Sequence, residues 1–121
     1  MVCSGPINYL GMAAVQTDIE NFKAALLDIQ PQEAFIPAAS PGILAQGSWI
    51  RNEYYPTTDA FLEALAQAMR QEYQAIVQAG FLLQVDSPDL AHLRTMRFWD
   101  LSLEEYRKKA APYVEVLNAA L

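Results

Sequence analysis

The apolar residues of this chain form two kinds of pattern, short continuous runs and longer stretches with helical spacing. Short apolar runs occur at residues 5–15, 34–44 and 81–88, and each contains or adjoins glycine or proline. Runs of this kind predict buried strands that end in turns or loops. The last run begins FLLQV and is nearly continuous, which favours a strand that is buried on both faces.

The first stretch with helical spacing is predicted to be a helix over residues 17–30. Thr17 and Glu20 have the spacing of a capping box, in which each side chain satisfies a free backbone N–H at the start of a helix. Pro31 disfavours helical geometry at the residue before it, so the helix should end there.

Two further helices are predicted. Residues 58–79 carry an apolar stripe, begin with threonines that can cap the helix, and precede Gly80, where a left-handed residue would close the helix. We expect a loop over residues 89–100, in which His92 lies on the loop or on a short helix. A last helix is expected from about Ser102, which forms a second capping box with the glutamate three residues later. Pro112 should kink or restart this helix.

The predicted order is strand, helix, strand, helix, strand, helix. Strands that alternate with helices pair in parallel and are joined by right-handed crossovers. Three such units fit an open three-layer α/β domain or part of a (β/α)₈ barrel, since a complete barrel takes about 250 residues and this chain has 121. We therefore predict a single domain, residues 1–121, with about three parallel β/α units.

Composition and charge narrow the classes of partner. Hydrophobic residues make up 53% of the chain and charged residues 18%, as in folded globular domains. The net charge of -6 disfavours nucleic acid and anionic lipid as partners, and the basic triplet at residues 107–109 is interpreted as the solvated face of a helix. We find no signal peptide and no apolar stretch of membrane-spanning length, and therefore expect a cytoplasmic protein without a membrane partner.

Polar residues follow two of the predicted strands. Ser40 comes after AFIPAA and Asp86 after LLQV, and function in parallel sheets gathers where strands end. Asp86 could hold an ammonium group, or each residue could simply cap its own turn. A Ser–His–Asp triad with His92 is geometrically possible, but Ser40 lacks the G-x-S-x-G elbow that supports such a triad. His92 is better interpreted as a surface or partly packed histidine.

Metal and stacking sites have weak support in the sequence. Cys3 and His92 are the chain's only cysteine and histidine, whereas a zinc site takes three or four ligands in close order. A single cysteine also excludes an intramolecular disulfide. Trp49 and Trp99 lie in predicted loops, where they could cover an edge of the core or stack on a flat ligand.

One long segment resembles a known family. Residues 57–91 contain a helix end of the form E-x-x-x-[LIV]-x-x-A-G, followed at residues 83–88 by [IL]-Q-[IV]-D-x-P. This helix-then-strand unit is similar to that of cobalamin-independent methionine synthase (methionine synthase II). The strings GPINYLG, AFIPAASPG and VEVLNAAL also resemble stretches of single-barrel members, so the resemblance covers nearly the whole chain.

The resemblance implies a fold, an activity and site residues. The fold is the (β/α)₈ barrel shared with uroporphyrinogen decarboxylase, and the activity is methyl transfer from a folate to the thiol of homocysteine, which zinc activates. Asp86 is implied to bind the substrate amino group, with Gln84 of the same motif as a further substrate-binding residue. Ser40 and Pro41 are implied to lie near the folate. Related members act on other thiols such as coenzyme M.

The chain also departs from the family pattern. The family's zinc ligands, a His, a Glu and two Cys, follow a helix like the last one here, and the sequence ends at Leu121 before any of them. We therefore expect no bound zinc, no catalytic residue in this chain and no methyltransferase activity of the isolated chain.

Three strands taken from a barrel leave open edges and an uncovered inner face. A homodimer or a complementary chain that completes the barrel is expected to cover them. The alternatives are a non-catalytic binding or assembly domain that keeps the half-barrel fold, part of a coenzyme M-type thiol alkyltransferase, and an unrelated small α/β domain.

Overall fold

The chain folds as an α/β protein, as its sequence predicts. The structure, a computed structural model, describes residues 1–46 and 50–121, so the interpretation of Trp49 lies outside the described residues. In chain order the elements are β1 (Val2–Cys3), α1 (Met12–Ala25), β2 (Phe35–Ala39), α2 (Pro41–Leu44), β3 (Arg51–Asn52), α3 (Thr58–Gln78), β4 (Leu82–Asp86), α4 (Asp89–Met96) and α5 (Leu103–Ala120).

Two small parallel sheets of two strands each are present among the described residues. β1 pairs with β3, and β2 pairs with β4. The β2–β4 register runs from Phe35 opposite Leu82 to Ala39 opposite Asp86. The connection from β2 to β4 passes through α2, β3 and α3, and α3 packs on both strands. β2, α3 and β4 therefore form a β-α-β arrangement, in agreement with the predicted parallel pairing.

The predictions of the first strand and of both ends of the first helix are wrong, since α1 also ends earlier than predicted, at Ala25 instead of residue 30. The structure has no strand over residues 5–15, and α1 already begins at Met12. Thr17 lies inside α1, where its hydroxyl donates to the Ala13 carbonyl at 3.0 Å. A threonine hydroxyl can bond the carbonyl four residues back, so capping-box spacing alone does not fix a helix start. Alanines at 13 and 14 are strong helix formers and extend the helix backwards.

The capping signals predicted at both ends of α3 and at the start of α5 are confirmed. The Thr57 hydroxyl accepts from the Ala60 N–H at 3.1 Å, and Gly80 closes the helix with a φ of 91°. At α5 both hydrogen bonds of the Ser102–Glu105 capping box are present.

The predicted effect of Pro112 is partly wrong, because α5 continues through it without restarting. The proline has no N–H to donate to the Lys108 carbonyl. Lys108 is exposed, and water can take that donor's place. The basic triplet at residues 107–109 lies on the exposed face of α5, as interpreted from the sequence, and Lys108 pairs with Glu104 at 3.0 Å.

Residues 89–100 were expected to form a loop, with a short helix around His92 as the alternative, and Asp89–Met96 is the helix α4. Its apolar positions are too few to give a clear helical stripe, and only Leu93 among them is buried. Trp99 follows α4 and is 78% exposed, so it does not cover an edge of the core. Within the described residues, none of the helices combines the length and apolar character needed to cross a bilayer.

The core lies between the helices and one face of the β2–β4 sheet. α3 contacts both α1 and α5, and Ile76 on α3 is fully buried at 0% exposure. Along both strands the exposed positions alternate with less exposed ones. The other face of the sheet, which the helices do not contact, is uncovered, with Phe35 and Leu82 each 52% exposed. The prediction that the last strand is buried on both faces is therefore wrong, because helices cover one face only.

Candidate functional site

The carboxyl ends of β2 and β4 lie side by side. Ala39 is the register partner of Asp86, and the Ser40 N–H donates to the Asp86 carbonyl at 2.9 Å. The fold thus brings together the backbones of Ser40 and Asp86, the two polar residues that the sequence placed at strand ends.

Gln84 and Asp86 are both exposed on the uncovered face of the sheet. Residues two apart in a strand point to the same side, so the side chains of Gln84 and Asp86 are neighbours and follow Leu82 along this face. Neither ion pair among the described residues involves Asp86. Its carboxylate is therefore accessible to a cationic group at the end of the strand.

Ser40 has a different environment from Asp86. It is 1% exposed, and its hydroxyl accepts from the Ile43 N–H at 3.1 Å while donating to Asp89 Oδ1 at 2.7 Å. The hydroxyl thus caps α2, the turn-capping interpretation that the sequence left open. Its role in ligand binding stays a prediction, and the structure already provides the hydroxyl with two protein partners.

Asp89 is the site residue that the sequence analysis missed. It is 1% exposed, and its Oδ1 accepts hydrogen bonds from the Ser40 hydroxyl at 2.7 Å and the Ser87 hydroxyl at 2.9 Å. It is the first residue of α4, where the helix dipole favours a carboxylate. The order Ser87-Pro88-Asp89 was the available signal, since proline and acidic residues are common in the first turn of a helix.

The second carboxylate oxygen of Asp89 lies against the backbone of α2. A Cβ placed on Gly42 would lie only 2.0 Å from Asp89 Oδ2 and 2.9 Å from Tyr113 Cδ1. Only a residue without a side chain allows this approach. Ser40, Ser87 and Asp89 thus join the turn after β2 to the turn after β4, and Gly42 leaves room for the carboxylate.

Two buried tyrosines support the same region. The Tyr73 hydroxyl donates to the Ala39 carbonyl at 2.6 Å, and the Tyr106 hydroxyl donates to the Leu90 carbonyl at 2.9 Å. Burial and the nearby carboxylates of Glu72 and Asp89 raise the pKa of Tyr73 to about 12. Burial, reinforced by Asp89, also raises the pKa of Tyr106. Both phenols therefore keep their protons and remain hydrogen-bond donors at neutral pH.

The other candidate chemistries are not assembled at this site. The Ser40 hydroxyl donates to Asp89, whereas His92 lies on α4 and is exposed, as interpreted from the sequence. Across residues 1–46 and 50–121, no group of three or more His, Cys, Asp or Glu side chains is arranged to hold a metal ion.

Comparison with known proteins gives no match: no protein-family model, no curated protein and no solved structure matches the chain.

Proposed function

We propose that the chain is a segment of a methionine synthase II-type (β/α)₈ barrel that binds a small amino-acid thiol at the carboxyl ends of β2 and β4. Asp86 holds the substrate's ammonium group, and Gln84 contacts the substrate beside it. Ser40 and Pro41 lie at the turn that faces the folate methyl donor. The observation that carries this proposal is the accessible Asp86 carboxylate at the end of β4, next to the turn after β2.

The side of the sheet supports this assignment. In a (β/α)₈ barrel the helices cover the outside, and ligands bind at the carboxyl ends of the strands. Here α3 packs on one face of the β2–β4 sheet, while Gln84 and Asp86 lie on the other. That second face is the interior side in a barrel. A carboxylate there pairs well with an ammonium group, since charge-assisted hydrogen bonds are about twice as strong as neutral ones.

The proposal concerns substrate binding by this chain's own residues. In the family zinc would lower the pKa of the substrate thiol, and across residues 1–46 and 50–121 no group of three or more His, Cys, Asp or Glu side chains is arranged to hold it.

Homocysteine binding by isothermal titration calorimetry tests the proposal. Asp86→Asn removes the negative charge and preserves the shape of the side chain. We expect it to weaken homocysteine binding about 10- to 100-fold, because a hydrogen bond to a charged group contributes about 1.5–3 kcal/mol. Asp28→Asn, an exposed aspartate before the amino end of β2, is the matched protein control and should bind as the wild type does.

Two further ligands sharpen the titration. 4-Mercaptobutyrate lacks the ammonium group and should bind the wild type and Asp86→Asn equally. Coenzyme M also lacks it, so tight coenzyme M binding that Asp86→Asn leaves unchanged would replace the homocysteine assignment with the coenzyme M-type alternative. Equal homocysteine affinity of Asp86→Asn and wild type would contradict the role of Asp86.

The uncovered sheet face favours a second function, assembly. Phe35 and Leu82 are paired in register and half-exposed on this face, and both strands have an edge that pairs with no other described strand. Unpaired edges and exposed apolar side chains promote association. We propose that a second copy of the chain covers the Phe35–Leu82 end of this face and leaves Asp86, at the other end of the strand pair, open to its ligand. A complementary chain is the alternative occupant.

Sedimentation equilibrium tests this assembly. The wild type should have twice the 13.5 kDa chain mass, and the double variant Phe35→Glu/Leu82→Glu should have the monomer mass with an unchanged circular dichroism spectrum. Leu27→Glu/Met96→Glu adds the same charges at residues that are 82% and 77% exposed, and it should remain a dimer. A monomeric wild type would rule out the second copy and leave the complementary chain.

A further inference from the structure

Asp89 is a buried acidic residue that is not one of the proposed ligand contacts. Neither ion pair among the described residues includes it, although burying a carboxylate without compensation is costly. Two hydroxyl donors, Ser40 and Ser87, compensate Oδ1. These donors come from the two turns that flank the candidate site.

The bonds of Asp89 connect elements that are distant in sequence. Ser40 lies 49 residues before Asp89 and follows β2, whereas Ser87 follows β4 directly. The Ser40 hydroxyl in turn accepts from the Ile43 N–H in α2. One carboxylate oxygen thus fixes both turns, and Asp86 is the last strand residue before the second of them.

The second oxygen explains why this residue is an aspartate. Oδ2 lies against Gly42, with 2.0 Å to the position of a Cβ, so no side chain of α2 separates the two. An asparagine could still offer an oxygen to both hydroxyls. Its NH₂ group would then take the place of Oδ2 and point two hydrogens at the Gly42 backbone, where the carboxylate has none. A carboxylate fits this position because it only accepts hydrogen bonds.

We infer that Asp89 is a positioning residue, a latch that fixes the turn after β4 to the turn after β2 and thereby sets the direction of the Asp86 carboxylate. Its effect on ligand binding rests on the proposed function, whereas its effect on the two turns does not. Breaking the latch leaves the Asp86 carboxylate chemically intact and misplaces it. A misplacement of about 1 Å is enough to weaken a preorganised contact substantially.

Amide hydrogen exchange, measured by NMR on the full chain, tests the latch without any ligand. In Asp89→Asn we expect the Ser40 and Ile43 amides to exchange at least about 10-fold faster. The Leu82 amide, which donates to Ala34 at the other end of the same strand pair, should be unchanged. Asp59→Asn removes an exposed carboxylate from the first turn of α3 and controls for the loss of a helix-dipole interaction.

If Asp89→Asn does not fold, Ser87→Ala replaces it, because it removes one of the two donors to Oδ1 and keeps the carboxylate. Equal acceleration at Ser40, Ile43 and Leu82 would mean that the residue contributes only global stability, and would overturn the inference. Acceleration limited to Ser40 and Ile43 supports the latch.

A double-mutant cycle on homocysteine affinity tests the positioning role. We expect Asp89→Asn to weaken homocysteine binding about 10-fold in the wild-type background and to have no effect in Asp86→Asn. 4-Mercaptobutyrate binding should be unchanged throughout. A purely structural role predicts equal losses in both backgrounds and would contradict positioning, as would local exchange changes without any loss of affinity.

The two proposals fail separately. If the wild type does not bind homocysteine, the proposed function fails, and the exchange experiment alone decides whether the latch exists.

Discussion

Gly42→Ala is expected to destabilise the fold by about 3 kcal/mol. Its Cβ would fall 2.0 Å from Asp89 Oδ2 and 2.9 Å from Tyr113 Cδ1. Such overpacking costs about 1–3 kcal/mol. Moving Asp89 away would also break its hydrogen bonds to Ser40 and Ser87, each contributing about 1 kcal/mol. Together these losses exceed the roughly 1 kcal/mol by which alanine is a better helix former than glycine.

Urea unfolding followed by circular dichroism measures this effect. Gly5→Ala is the matched control, because a Cβ on Gly5 meets no atom within 4 Å, and it should be close to the wild type in stability. The double variant Gly42→Ala/Asp89→Ala should be less destabilised than the sum of its single variants, since a shortened residue 89 leaves room for the new methyl group. Gly42→Ala with the stability of Gly5→Ala would mean that Asp89 is not packed on α2.

Sequence signals within one turn of a helix predicted this fold best. Thr57, Gly80 and Ser102 each act on backbone groups a few residues away, and all three have the predicted geometry. The strands at Phe35–Ala39 and Leu82–Asp86 were also predicted, because glycine, proline and serine bound their apolar runs.

Features that depend on distant residues were not predictable in the same way. Thr17 has a capping-box pattern, but the helix starts five residues earlier, at Met12. The pair β1–β3 is two residues long on each strand, too short to produce an alternating pattern. The exposed face of β4 looks buried in the sequence, because an apolar run carries no information about which layers cover it.

The candidate site likewise contains residues that the sequence predicts and one that depends on distant contacts. The strand-end positions of Ser40 and Asp86 follow from the order of strands and helices alone, and the structure places their backbones in contact. Asp89 could not be recognised in this way. Its burial results from Ser40, 49 residues away, and from the missing side chain at Gly42.

Ile76→Ala is expected to destabilise the fold by about 3–4 kcal/mol, the range for removing a large aliphatic side chain from a core that cannot collapse. Ile76 is 0% exposed and belongs to the cluster that joins α1, α3, β2 and α5. Domains of this size are stable by about 5–15 kcal/mol, so the loss is a large part of the total.

Val77→Ala is the control for Ile76→Ala, since it shortens the next residue of the same helix at a site that is 57% exposed. It should change stability by no more than about 0.5 kcal/mol. Both variants are compared with the wild type by urea unfolding at one protein concentration, because a dimer's apparent stability depends on concentration. Equal losses in the two variants would mean that the core does not lie around Ile76. They would also mean that α3 does not cover the sheet face opposite Asp86.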